Sequence, residues 1–110
     1  MLGQAGEKLA GDFLVQRGYK ILDSNVRLGT RELDLVVFDQ KYDELVFVEV
    51  KTRDRESGVS PSRAVNWQKK LALTRAAQTY LELKGYDKDY RFDIISVVAG
   101  QITHLENITW

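Results

Sequence analysis

Glu44-Leu45-Val46-Phe47-Val48-Glu49-Val50-Lys51-Thr52 is an aliphatic and aromatic run into which Glu49 and Lys51 are set two residues apart. Its β-branched and aromatic content predicts a strand. The spacing places both charged side chains on one face of it. Charge in an otherwise apolar strand is costly unless a partner offsets it. Upstream, residues 33–38 read as a second apolar strand, joined to the first by Asp39-Gln40-Lys41-Tyr42-Asp43. That turn is short enough for an antiparallel hairpin. Asp34 opens the partner strand, so it approaches Glu49 across the ladder if the register permits.

On the N-terminal side, residues 3–17 are predicted helical, with Gly3, Glu7, Ala10 and Leu14 on one line and Leu2, Gly6, Leu9 and Phe13 beside it. Glu7 therefore lies within the apolar stripe. Gly18 supplies the stop; residues 19–24 read as a strand and 25–31 as a polar connection. On the C-terminal side, residues 53–60 form a polar loop. Ser60-Pro61 suits a helix start and Asn66 is a second candidate cap. That helix runs to Lys84, with Val65, Lys69, Ala72, Leu73, Ala76, Tyr80 and Leu83 on its inner face. Residues 91–98 are another apolar strand and 102–108 an edge strand. The order is α-β-β-β-α-β-β. A long helix between two apolar strands implies a right-handed crossover with those strands parallel. The expected fold is α/β, a central mixed sheet flanked by helices.

With 110 residues the chain is expected to form a single domain, 1–110, around one core. It is 44% hydrophobic and 29% charged, a globular balance. No apolar run approaches the ~20 residues that span a bilayer, and the start lacks a signal-peptide pattern. The absence of cysteine excludes a thiol nucleophile and a cysteine-bound zinc, and makes the cytoplasm the expected location. Neither a Walker loop nor a dinucleotide glycine fingerprint is present. Carboxylates and lysines are the remaining chemical equipment.

Net charge is zero, yet it is unevenly spread. Lys51, Arg53, Arg55, Arg63, Lys69, Lys70 and Arg75 face only Asp54 and Glu56 within 51–75, a window of plus five. Such a window beside carboxylates suits a metal-dependent phosphodiester site. Magnesium prefers hard oxygen donors, and Asp34, Glu49 and the Val50 carbonyl offer them. Lys51 would orient the nucleophile or stabilise charge on the phosphate. The plainer alternatives are a Glu49–Lys51 ion pair and an edge strand with its charges in water. Glu7 has a plain reading as a first-turn carboxylate; Glu32, on the same strand face as Asp34, either supports the metal ligands from behind or, as expected, is solvated. Asp93 is expected to pair with an arginine, and His104 to have no catalytic role. Lys69 either reaches a phosphate or snorkels to water. Arg27, Arg53 and Arg55 are candidate phosphate contacts. Trp67 and Trp110 stack on bases or pack against protein.

Asn25-Val26-Arg27, Glu32-Leu33-Asp34-Leu35 and Val46-Phe47-Val48-Glu49-Val50-Lys51-Thr52-Arg53 resemble the YraN family, a group of small bacterial proteins similar to archaeal Holliday junction resolvases and the PD-(D/E)xK nucleases. The resemblance begins at Gly6-Glu7-Lys8-Leu9-Ala10 and Gly18-Tyr19-Lys20-Ile21-Leu22. It continues through Ala64-Val65 and Lys69 to Arg91-Phe92-Asp93-Ile94-Ile95. It implies a restriction-endonuclease-like fold, with Asp34 and Glu49 as ligands of magnesium or manganese and Lys51 as the catalytic lysine. Glu7 matches a first-helix glutamate that some resolvase-like nucleases add to the metal shell. Where the family usually has glycine before Glu-x-Asp, this chain has Arg31. The implied activity is endonucleolytic cleavage of DNA, branched or otherwise irregular, with flapped or single-stranded DNA and RNA left open. A non-catalytic nucleic-acid-binding module and a dimeric interaction protein using the 102–108 edge are the alternatives. A homodimer is expected by analogy with resolvases.

Overall fold

The computed structural model describes residues 2–53 and 67–108. Helix α1 (Leu2–Gln16) precedes strands β1 (Tyr19–Leu28), β2 (Arg31–Asp39) and β3 (Glu44–Arg53). Helix α2 (Trp67–Lys84) then leads to β4 (Tyr90–Val98) and β5 (Gln101–Leu105). The strands form one sheet in chain order, antiparallel except for β3 and β4, which run parallel from Leu45↔Tyr90 to Arg53↔Val98. A parallel pair cannot be closed by a tight turn, so the segment carrying α2 makes the crossover. The fold is α/β, a mixed five-stranded sheet flanked by two helices in the order α-β-β-β-α-β-β, as the hydrophobic periodicities require.

Each helix covers one face. Ala10 and Leu14 of α1 pack on Leu35, Val37, Val46, Val48, Ile95 and Val97. Ala76, Ala77 and Tyr80 of α2 pack on Leu33, Val36 and Phe47. Val46 and Val48 go to one layer and Phe47 to the other, so the central strands are apolar on both sides. α1 comes down closely on β3. A Cβ at Gly6 would stand 1.9 Å from Thr52 Oγ1, so only glycine permits that approach. The contact fixes where the next residue, Glu7, meets the sheet.

Several boundaries differ from expectation. β1 continues to Leu28 because Val26 and Leu28 pack against the α2 layer, leaving only Gly29 and Thr30 for the turn. β5 ends at Leu105, since the Asn107 amide donates to Asp93 Oδ1 with Asn107 at φ 51°. Leu9 and Leu83 are exposed instead of facing inward. In α2 the 3.6-residue period carries the inner face from Leu73 through Ala77 to Leu81, rolling Leu83 toward solvent. The proposed helix starts at 60–66, Arg55, Val65 and Trp110 lie outside the described residues.

A buried polar network closes the α1 face beyond that helix's C-terminal end. Arg91, 8% exposed, donates to Asp39 Oδ2 (2.7 Å), Glu44 Oε1 (2.5 Å), Asp93 Oδ1 (3.0 Å) and the Tyr19 hydroxyl (2.8 Å). His104 Nε2 lies 2.8 Å from Asp93 Oδ2. Asp93 thus has the arginine partner expected of it. Burial pushes both Asp39 and Asp93 up, but their hydrogen bonds outweigh it and hold both below the usual carboxylate range. These bonds tie the turn end of the β2–β3 hairpin to β1 and β4.

Candidate metal centre

The site lies at the other end of that hairpin, where the sheet forks. β2 and β3 pair from Asp39↔Glu44 to Leu35↔Val48. The next step would set Asp34 against Glu49, but the paired register stops before it. β2 stays with β1 as far as Arg31↔Leu28, while β3 stays with β4 to Arg53. The side-chain alternation breaks here too: Leu33 belongs to the α2 layer and Leu35 to the α1 layer, although they are two apart. Across the ladder, Asn25 sits at φ 51°, between the pairs Ser24↔Leu35 and Val26↔Leu33. Asp34 is thereby turned into the fork. Its Oδ2 accepts the Val50 amide at 2.9 Å, standing in for a carbonyl of the interrupted ladder.

Three carboxylates meet at this point. One oxygen each from Glu7, Glu32 and Asp34 lies within 4.8 Å of the other two. Burial pushes Asp34 up to about 6, helped by Glu49, Glu7 and Glu32 and opposed by the Val50 amide. Glu32 is exposed, as expected, yet its carboxylate joins the cluster. Glu49 lines a cavity with Asp34, Glu32 and Leu33, but its own contacts are with lysines. Lys51 Nζ stands 3.2 Å from Glu49 Oε1, and Lys69 Nζ pairs with the same oxygen. Burial and the neighbouring Lys69 ammonium lower Lys51. Burial opposes the charge on Lys69, but its contact with Glu49 prevails and raises it. Lys69, inward on α2, therefore meets a carboxylate.

Among the candidate phosphate contacts, Arg27 extends into solvent near Glu32, at 4.0 Å, its side chain 82% exposed. Arg53 is half-buried at the end of β3, where its carbonyl accepts the Ala99 amide. Arg31 lies on the α2 side of the fork, and its buried Nε has no hydrogen-bond partner among the described residues.

The profile of the uncharacterised protein family UPF0102 matches residues 6–97. The chain belongs to that family. UPF0102 corresponds to the YraN grouping that the sequence strings pointed to. A UPF0102 protein of Alkaliphilus metalliredigens is 40% identical over 101 residues, covering 91% of this chain and 87% of the relative. One from Thermodesulfovibrio yellowstonii is 37% identical over 106 residues, covering 96% and 93%. One from Chlorobium chlorochromatii is 44% identical over 96 residues, covering 87% and 73%. Among the described residues of this UPF0102 protein, no helix is long and apolar enough to cross a membrane.

Proposed function

We propose that this UPF0102 protein is a metal-dependent endonuclease, hydrolysing phosphodiester bonds in DNA of branched or otherwise irregular structure. The carboxylate cluster in the fork carries this reading. Three hard oxygen donors within 4.8 Å suit a magnesium- or manganese-sized cation. Positive charge there would also offset the burial and, secondarily, the neighbouring carboxylates that raise Asp34. Glu7, Glu32 and Asp34 would hold the ion, and Glu49 could join them by turning from its lysines. When bound, the ion lowers the pKa of a bound water and neutralises charge on the phosphate.

The chain's own groups do the rest. Val50 fixes the Asp34 carboxylate through its amide. Glu49 holds two ammonium groups at the cavity rim, where they neutralise the non-bridging oxygens of an incoming phosphate. The Lys51 ammonium, held 3.2 Å from Glu49 Oε1, orients the attacking water by donating to its oxygen, and the water's proton passes to solvent. Water oxygen bonds to phosphorus, the opposite P–O bond breaks, and the leaving oxygen is protonated from solvent.

The test uses purified protein and labelled branched, flapped, single-stranded and duplex DNA, with magnesium, manganese or chelator. Cleavage should require metal and fall by about 100-fold or more in Asp34→Ala and Lys51→Ala. Cleavage that persists in both variants rejects the reading. The alternative, a module that binds nucleic acid without cutting it, draws on Arg31 at the mouth of the fork and on the lysine pairing of Glu49. Metal-insensitive binding without cleavage would establish that alternative.

A further inference from the structure

Beside the fork, between the β1–β2 turn and the outer part of α2, runs a groove lined by Arg27, Arg31 and Arg75 together with Leu28, Thr79 and Leu83. Among the described residues, no carboxylate lines it. Arg31 also lines the adjoining cleft, which contains Glu32, Glu49 and Lys69, so groove and carboxylate site meet at this residue. Among the described residues, neither Arg31 nor Arg75 forms an ion pair with a carboxylate. Arg31 Nε is buried and without a hydrogen-bond partner there. A guanidinium stays charged at any physiological pH and presents donors suited to phosphate oxygens. Burying one of its donors unmet is costly, and an anion offsets that cost.

We infer that this groove is a phosphate-binding subsite for the nucleic-acid strand next to the scissile bond, with Arg31 and Arg75 as its principal contacts. The groove itself points to an anion; that the anion belongs to a nucleic-acid strand rests on the function proposed above. Arg31 then holds the phosphate adjacent to the one at the carboxylates. Arg75 holds the next along the strand, and exposed Leu83 offers apolar surface to the sugar between them. Contacts of this kind set the strand's position without reading its sequence. Arg27, partly engaged by Glu32, makes the outermost contact.

The experiment measures binding of a fluorescein-labelled single-stranded oligonucleotide by anisotropy, in chelator so that nothing is cut. Wild type, Arg31→Ala/Arg75→Ala and Arg17→Ala are titrated over a series of salt concentrations. Arg17 stacks on Phe13 on the other side of the sheet and serves as the control. The double variant should bind about tenfold or more weakly, with the salt slope shallower by about 1.4, as expected for two lost single-strand phosphate contacts. The control should match wild type. An unchanged affinity and slope in the double variant overturns the subsite. So does a variant that loses inorganic tripolyphosphate binding while keeping the oligonucleotide, because the groove would then hold only a small anion. The two proposals fail separately. Binding that depends on both arginines without any cleavage sinks the nuclease and keeps the groove; metal-dependent cleavage indifferent to both arginines does the reverse.

Discussion

Asp34 illustrates what a single side chain gives up at such a site. Its carboxyl titrates at about 6 in the fold against an ordinary 3.8, so the folded state holds the proton more tightly than the unfolded chain. Its contribution therefore favours the fold below about 3.8 and is withdrawn as pH rises through about 6. At neutral pH the cost is about 1–2 kcal/mol, reduced from the full shift because solvent still reaches the group. Asp34→Asn, which keeps an acceptor for the Val50 amide, should raise the melting temperature at pH 7 by about 5 °C and give no gain at pH 4. Manganese should raise the wild-type melting temperature and leave that of the variant unmoved. Scanning calorimetry reads both, and a less stable variant at pH 7 would contradict the argument. At this scale Asp34, Glu49, Lys51 and Glu7 stand out because each is a charge in apolar surroundings, but the structure groups Glu7 and Asp34 with Glu32 and gives Glu49 to two lysines. Glu32 was legible only as a residue sharing a face with Asp34, since an exposed glutamate at a strand start looks like any solvated residue. The attachment of Glu49 to Lys69 depends on how α2 lies over β3, which periodicity does not specify.

Among the elements, α1 is positioned by the absence of a side chain at Gly6. Gly6→Ala forces the helix and Thr52 apart and should cost about 1–3 kcal/mol, despite the better helix propensity of alanine. Thr52 Oγ1 is buried and lacks a hydrogen-bond partner among the described residues, so Thr52→Ala removes the obstacle without orphaning another group. The double variant should recover most of the loss in urea unfolding. Strict additivity of the two changes would rule out the contact as the cause. The close approach was not visible in the sequence, where Gly6 looks like one more small residue in an apolar stripe. The hairpin, α2 and β4 were visible from period alone. β1 was cut short because Asn25 and Arg27 read as a loop, although Val26 and Leu28 keep the strand's alternation. β5 was drawn too long because nothing local marks the turn that Asp93 imposes at Asn107.

For the whole molecule, the two ends of the hairpin respond to pH with opposite sign. Asp39 and Asp93 titrate below the usual range, so their contribution is present above it and lost as pH falls through their lowered values. Asp34 contributes in the other direction. Stability should therefore peak at mildly acidic pH, between 3.8 and about 6. Urea midpoints across pH 3–8 test this, and a profile still rising from pH 5 to pH 7 would refute it. Arg91→Leu should cost about 3–5 kcal/mol by leaving carboxylates buried and uncompensated, and should flatten the acid limb. The parallel pairing of β3 with β4 followed from element order alone, but the division of labour between the hairpin's ends did not. It depends on where the ladder stops, and a strand pattern carries no such mark. The stop has a chemical corollary. Asp34 occupies the place of a missing rung, so stripping its side chain back to a methyl leaves the Val50 N–H seeking the nearest carbonyl, and the gap could zip closed. Asparagine and alanine at this position thus pose different questions: one discharges the site, the other also removes the wedge that keeps it ajar.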